Sequence, residues 1–271
     1  MAGKHRKPGH HAQPHGETRP AMRDKPHPPQ QPSASGGLWL YGIHAVRAAL
    51  NNPRRKIRRA VFTERAAAEL GKAGNRVKAE IAPIETVSRL LPHGAVHQGA
   101  ALLCELLPEL DLEDVLKTAP PGRRLVAVLD QVTDPHNEGA ILRSALAFGF
   151  AAVVVQDRHA PPESGALAKA ASGALDTIPR VAVVNIARAL EELGRLGFWR
   201  IALAADGDEA LAQAVHKGDV AIVLGAEGAG IRRLVRERCD QSAFIPMAGS
   251  AESLNVSNAA AIAFYELRRG G

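Results

Sequence analysis

The sequence is poor in cysteine, in aromatic residues and in long apolar runs, and each shortage narrows what the chain can be. Its two cysteines, Cys104 and Cys239, lie far apart in no CxxC pattern. They read as small, reduced, buried side chains rather than as a redox or zinc motif. Aromatic residues make up 4% of the chain, so Ala, Val, Leu and Ile must build the core. That composition suits strands and helices buried on both sides, as in α/β layers. No run approaches the ~18 apolar residues that span a membrane. The N-terminus has no apolar h-region of a secretory signal, so the cytoplasm is the expected compartment. No GxGxxG opens a helix and no GxxxxGK[ST] is present, which argues against a dinucleotide or a triphosphate. No metal-ligand cluster appears, and no metal is expected.

What the chain does have is positive charge, a formal +6 over 271 residues. A basic balance favours a polyanionic partner, most often nucleic acid. Residues 1–37 are rich in Pro, His, Gly, Gln and basic residues and lack apolar periodicity. They are expected to form a disordered basic tail. Its histidines fit no standard metal spacing, and a solvated tail adding RNA affinity is the simpler reading.

Order is expected from "LWLYGIHAVRAAL", a short strand followed by a helix with Ile43, Val46, Ala49 and Leu50 at helical spacing. A small α/β unit follows over 38–109, closed by a strand at "GAALLCELLPE". Residues 110–123 read as a linker, because Pro120-Pro121-Gly122 stops any helix begun by "LEDVLK". From 124 to 271, strands such as "LVAVLD", "AAVVVQ" and "DVAIVLG" alternate with helices such as "EGAILRSALAF" and "IRRLVRERC". That alternation predicts a mostly parallel sheet covered by helices.

In such sheets ligands gather beyond the C-terminal strand ends. Three loops there are polar or glycine-rich. In "DQVTDPHNEGAILRSA", Asn137 is placed to cap a helix starting at Glu138. Arg143 lies one turn beyond Gly139, whose missing side chain leaves room for a ligand. In "IVLGAEGAGIRRL", Gly225, Gly228 and Gly230 permit sharp bends or close approach. Glu227 there suits a cation, a ribose hydroxyl or a backbone amide. In "FIPMAGSAESLNVSNAAAIAFYEL", Ser253, Asn255, Ser257 and Asn258 crowd one helix entrance, more capping groups than a helix end needs. Taken singly, each loop can equally be an ordinary capped or bent connection.

In order and spacing, "DPHNEGAILRSA", "LGAEGAGIRRL" and "IPMAGSAESLNVSNAAAIAFYEL" resemble the three motifs of the SpoU (TrmH-like) RNA 2'-O-ribose methyltransferases. "YGIHAVRAAL" and "HQGAALLCELLPE" are similar to that family's N-terminal substrate-binding domain. The resemblance covers about 39–269. It implies a SPOUT-type α/β catalytic domain with a mostly parallel sheet and a C-terminal trefoil knot, preceded by a small ribosomal-protein-like α/β domain. It also implies S-adenosylmethionine as cofactor, RNA as substrate and a homodimer. Within the family, the domain pair and "IPMAGSAESLNVS" are most similar to bacterial enzymes that methylate a guanosine 2'-oxygen of 23S rRNA near the peptidyl-transferase centre. A tRNA substrate, or an RNA-binding protein that has lost catalysis, are the alternatives.

By motif position, the resemblance implies cofactor contacts at Gly225, Ile245, Met247, Ser253 and Leu254. Small residues Ala248, Gly249, Ser250 and Ala251 would allow tight backbone passage in the knotted loop. Asn137, Arg143, Glu227, Ser253 and Asn255 would form the catalytic and RNA-positioning set, with Glu227 holding Arg143 or the loop. His136 and Glu138 receive no role. The basic run Arg54, Arg55, Lys56, Arg58 and Arg59 is expected to contact phosphates, with His44 and Arg47 as weaker candidates.

Overall fold

The computed structural model describes residues 37–249 and 253–270, with Met1 and Gly3. Nearly all of the expected tail, and Ser250 and Ala251 of the expected tight loop, lie outside the described residues.

The first unit comprises β1 (Leu38–Tyr41), α1 (Ile43–Asn51), β2 (Ile57–Phe62), α2 (Glu64–Leu70), β3 (Glu80–Ile81), α3 (Ile84–Arg89) and β4 (Ala100–Cys104). Its sheet runs β1-β4-β2-β3, with β4 antiparallel to both β1 and β2. Ile43, Val46, Ala49 and Leu50 are buried, as their helical spacing predicts. The closing strand is shorter than the apolar run that suggested it. Beyond Cys104 the chain turns away, and the Leu107 amide donates to Glu163 of the second unit at 3.0 Å.

The second unit adds α4 (Leu112–Lys117), β5 (Leu125–Asp130), α5 (Pro135–Ala147), β6 (Ala152–Gln156), α6 (Gly165–Ala171), β7 (Arg180–Val183) and α7 (Ile186–Arg195). It continues through β8 (Trp199–Leu203), β9 (Glu209–Ala210), α8 (Leu211–Ala214), β10 (Val220–Gly225), α9 (Arg233–Arg236), β11 (Gln241–Phe244) and α10 (Val256–Arg269). The seven strands run β7-β6-β5-β10-β8-β11-β9, and every pairing is parallel. Successive residues of a strand point to opposite faces. Leu125, Ala127 and Leu129 of β5 therefore pack with α5, α6 and α10, while Val126 and Val128 pack with α4 and α7. The first of these clusters also contains Leu40, Val46 and Leu102, so one apolar core runs through both units. Among the described residues, no helix is long and apolar enough to cross a membrane.

Several local expectations change. Helix α5 begins at Pro135, and Asp134 caps it by accepting the His136 amide at 3.0 Å. Asn137 is thus inside the first turn and is not its cap, because Pro135 at the start already fixes helical φ. Gly139 does not open space for a ligand. A Cβ there would lie 2.5 Å from the Ala170 Cβ, so the glycine instead lets α5 and α6 pack closely. The "IRRLVRERC" stretch gives only the single turn of α9, and the short β9–α8 pair had no clear sequence signal.

Candidate active site

The C-terminal ends of β8, β10 and β11 and the start of α10 surround a cavity of about 770 Å³. Its walls include the apolar Leu203, Leu224, Ile245 and Leu254, together with Gly225, Met247 and Ser253. The glycine-rich loop folds back on itself to form one wall. The Gly230 amide donates to the Ala226 carbonyl at 2.9 Å, and Gly228 and Gly230 take φ of 82° and 66°, values that glycine adopts without steric cost. At Gly225 a Cβ would lie 2.2 Å from the Gly230 carbonyl carbon. The close approach there is the loop's own backbone.

A clamp that the motifs did not reveal anchors this loop. Asp130, at the end of β5, is fully buried and accepts the Arg232 amide at 2.9 Å and Nε at 2.8 Å. Arg232 also donates to Gln156 at the end of β6, at 2.9 Å. The only hint in the sequence was the position of Asp130 and Gln156 as polar ends of apolar strands.

At the cavity rim three expected site residues close into one network. Glu227 Oε1 accepts Asn137 Nδ2 at 3.1 Å, Asn255 Nδ2 at 2.5 Å and the Val256 amide at 3.4 Å. Asn255 Nδ2 also donates to Asn137 Oδ1 at 3.0 Å, across 118 residues of sequence. The Asn255 Oδ1 caps α10, accepting the Ser257 and Asn258 amides at 2.9 and 3.4 Å and the Ser257 hydroxyl at 2.5 Å. Asn255 is therefore saturated, whereas Asn137 keeps one N–H and Glu227 keeps Oε2 without a partner among the described residues. Ser253 lies two residues before the cap and does not serve it; it lines the cavity instead. Arg143 is exposed on α5, eight residues past the N-terminus of that helix, and makes no hydrogen bond to Glu227 or to any other described residue. Glu227 thus holds the two asparagines and the start of α10.

The basic run of the first unit divides. Arg55 is not a phosphate-contacting surface residue, because its side chain is fully buried against Asp176 and Glu163. Lys56 and Arg58 approach Glu105, and Arg59 pairs with Glu80 at 2.7 Å, all at the surface. Arg54 is half-buried and His44 exposed, while Arg47 donates to the Glu69 carbonyl at 2.8 Å.

The family model described as SpoU rRNA methylase matches residues 124–265, and the RNA 2'-O ribose methyltransferase substrate-binding model matches 39–110. The chain belongs to the SpoU rRNA methylase family. This SpoU methylase is 42% identical over 240 residues to the 23S rRNA (guanosine-2'-O-)-methyltransferase RlmB of Vibrio vulnificus, spanning 85% of this chain and 96% of that protein. It is 38% identical over 247 residues to the RlmB of Pseudomonas aeruginosa, spanning 85% and 95%. Its fold aligns with the SpoU methyltransferase AviRb of Streptomyces viridochromogenes, solved with AdoMet, at a TM-score of 0.71 and 25% identity over 87% and 90% of the two chains.

Beneath the site of this SpoU methylase lies a second pair the motifs did not flag. Glu138, next to Asn137, is buried and bound by Arg180 Nε at 2.5 Å. Among the described residues, no group of three or more His, Cys, Asp or Glu side chains could hold a metal ion.

Proposed function

We propose that this SpoU methylase transfers a methyl group from S-adenosylmethionine to the 2'-oxygen of a guanosine in 23S rRNA, near the peptidyl-transferase centre, as a cytoplasmic homodimer. The observation that carries the reading is the Asn137–Glu227–Asn255 network, three segments distant in sequence closed by hydrogen bonds at the rim of one cavity.

The cavity fits the cofactor. It is within the size range of small-molecule pockets, with apolar walls and a few polar groups at one rim. Leu203, Leu224, Ile245 and Leu254 would flank the adenine, while Gly225, Met247 and Ser253 would complete the wall. The bound cofactor supplies an electrophilic sulfonium methyl. The protein's work is then to align and activate a poor nucleophile, and alignment alone can supply much of the rate. The spare N–H of Asn137 and the Oε2 of Glu227 are the polar groups available to a ribose at the rim. Asn255 fixes both in place. Arg143, free of carboxylate partners among the described residues, would hold a substrate phosphate and stabilise charge developing on the oxygen. A guanidinium stays protonated up to pH ~12 and is poorly suited to act as a simple base.

The first unit would grip the RNA, with Arg54, Lys56, Arg58 and Arg59 near phosphates. The trefoil knot belongs to the same reading. Asn255, which follows β11, sits beside Glu227, which follows β10, although β8 lies between those two strands in the sheet, and the turn at Gly249 takes φ of 62°. Ile262 and Tyr265 on α10 and Leu146 on α5 stay exposed while Ala260, Ala263 and Phe264 enter the core, so α10 keeps an apolar outer face for a second copy.

The decisive variant is Arg143→Ala. Turnover on 23S rRNA should fall about 10²–10³-fold, as for loss of a charge-stabilising donor, while calorimetric cofactor binding is retained. Near-normal turnover would remove Arg143 from the mechanism. Mapping 2'-O-methyl groups in rRNA and tRNA of a deletion strain identifies the substrate.

A further inference from the structure

The two units are joined by more than a linker. Arg55, in the turn between α1 and β2, is the centre of a buried polar cluster that crosses between them. Its Nε and one terminal nitrogen reach Asp176 Oδ1 and Oδ2 at 2.8 and 3.1 Å. The other terminal nitrogen donates to Glu163 and to the Glu105 carbonyl. Asn52 Nδ2 adds a bond to Asp176 at 3.0 Å, and the second Glu163 oxygen takes the Leu107 amide at 3.0 Å. The Arg55 and Asp176 side chains are 0% and 1% exposed, and the cluster leaves no buried side-chain polar atom without a partner among the described residues.

Around it the backbones approach closely. A Cβ on Gly165 would lie 2.4 Å from the Tyr41 ring, and one on Gly173 would lie 3.0 Å from Ala48 Cβ. Lys169 Nζ donates to Gln98 Oε1 at 2.7 Å across the same boundary. Fixed hydrogen-bond angles at a planar guanidinium define orientation as well as attraction. A buried ion pair contributes little net stability compared with apolar packing, and its best-attested use is to specify one arrangement.

We infer that Arg55, through Asp176 and Glu163, is a positioning residue that holds the RNA-binding unit in a single orientation to the methyl-transfer site and thereby sets how productively a large RNA is presented. The inference rests on the reading of the first unit as the RNA-binding part. It separates two roles that neighbouring residues of one basic run share in sequence: Lys56, Arg58 and Arg59 remain exposed, and Arg55 turns inward.

The test uses the full chain, spin-labelled at exposed Glu85→Cys and Arg195→Cys, one in each unit. With labelled chain diluted in excess unlabelled chain, so that a dimer carries one labelled copy, the parent should give one narrow interspin distance. Arg55→Met should broaden it and raise KM for a long 23S rRNA transcript about tenfold or more, because the two units are no longer held where both engage the RNA at once, with kcat and cofactor affinity little changed. Arg55→Lys should not rescue, because a point charge cannot reproduce the planar fork. Should Arg55→Met leave buried carboxylates that prevent folding, Arg55→Met/Asp176→Leu removes the guanidinium and its fully buried partner, leaving only Glu163, which is partly exposed and keeps the Leu107 amide, and decides. A folded double variant that keeps the narrow distance and the parental KM would overturn the inference. If the parent itself fails to methylate 23S rRNA, the functional reading fails, while the distance measurement still tests the clamp.

Discussion

Arg180→Met probes the foundation of the site. Glu138 occupies the first turn of α5, directly after Asn137, and its side chain is 0% exposed. Arg180 binds both its oxygens, at 2.5 and 3.3 Å, and also donates to the Pro161 carbonyl at 3.0 Å. Burial pushes the Glu138 carboxyl upward; the Arg180 charge and hydrogen bonds pull it back, and the net direction is up. A carboxyl with a higher pKa folded than unfolded binds more protons in the folded state. Its contribution therefore weakens stability as pH rises above the ordinary carboxylate range. Removing Arg180 leaves burial unopposed and drives the folded pKa higher still. The variant should lose about 3–5 kcal/mol at neutral pH, the usual cost of leaving a buried charge unpaired. For a chain of this size that is roughly 6–20 °C in Tm. The loss should shrink toward about pH 4–5, where Glu138 is protonated folded and increasingly so unfolded. Urea titrations across pH measure it, and Glu138→Gln/Arg180→Met should recover most of the stability. A penalty that is flat with pH, or a double variant no better than the single, would refute the argument.

Two glycines carry sharper expectations. Gly225→Ala places a Cβ where the Gly230 carbonyl carbon now sits 2.2 Å away, so the loop must open; S-adenosylmethionine affinity should fall about tenfold or more, since the cavity wall is no longer pre-formed. Parental affinity by calorimetry would show that this loop is not the cofactor wall. Gly139→Val should cost about 1–3 kcal/mol by overpacking, because its Cβ would meet the Ala170 Cβ and the Ala171 amide at 2.5 and 2.8 Å. An unchanged melting temperature would mean that α5 and α6 can separate freely.

Much of the fold was legible because the strands announce themselves. "LVAVLD" and "DVAIVLG" are continuous apolar runs, and such runs mark strands buried on both faces; β5 and β10 are those strands, paired in parallel at the sheet centre. Helix ends were less legible. Asn137 and Asp134 are both good capping residues, and choosing between them required knowing that Pro135 opens α5. Arg55 was misread for a different reason. Five basic residues within six positions look alike to any rule based on charge, and what distinguishes Arg55 is a pair of carboxylates 108 and 121 residues away. The Asp130–Arg232 clamp was hidden in the same way, its partners 102 residues apart.

The crowding of Ser253, Asn255, Ser257 and Asn258 has an explanation in the division of one side chain. Asn255 spends its oxygen locally, on amides two and three residues onward that begin α10. It spends its nitrogen on Glu227 and Asn137, 28 and 118 residues back. A carboxylate or hydroxyl could serve the first purpose as a helix cap, but neither offers the two N–H donors that the second requires. The capping rule therefore accounts for a polar residue at this position, and only the distant partners account for its being asparagine. Helix initiation and site assembly are thereby tied together: α10 cannot start in its proper place without also closing the network at the cavity rim.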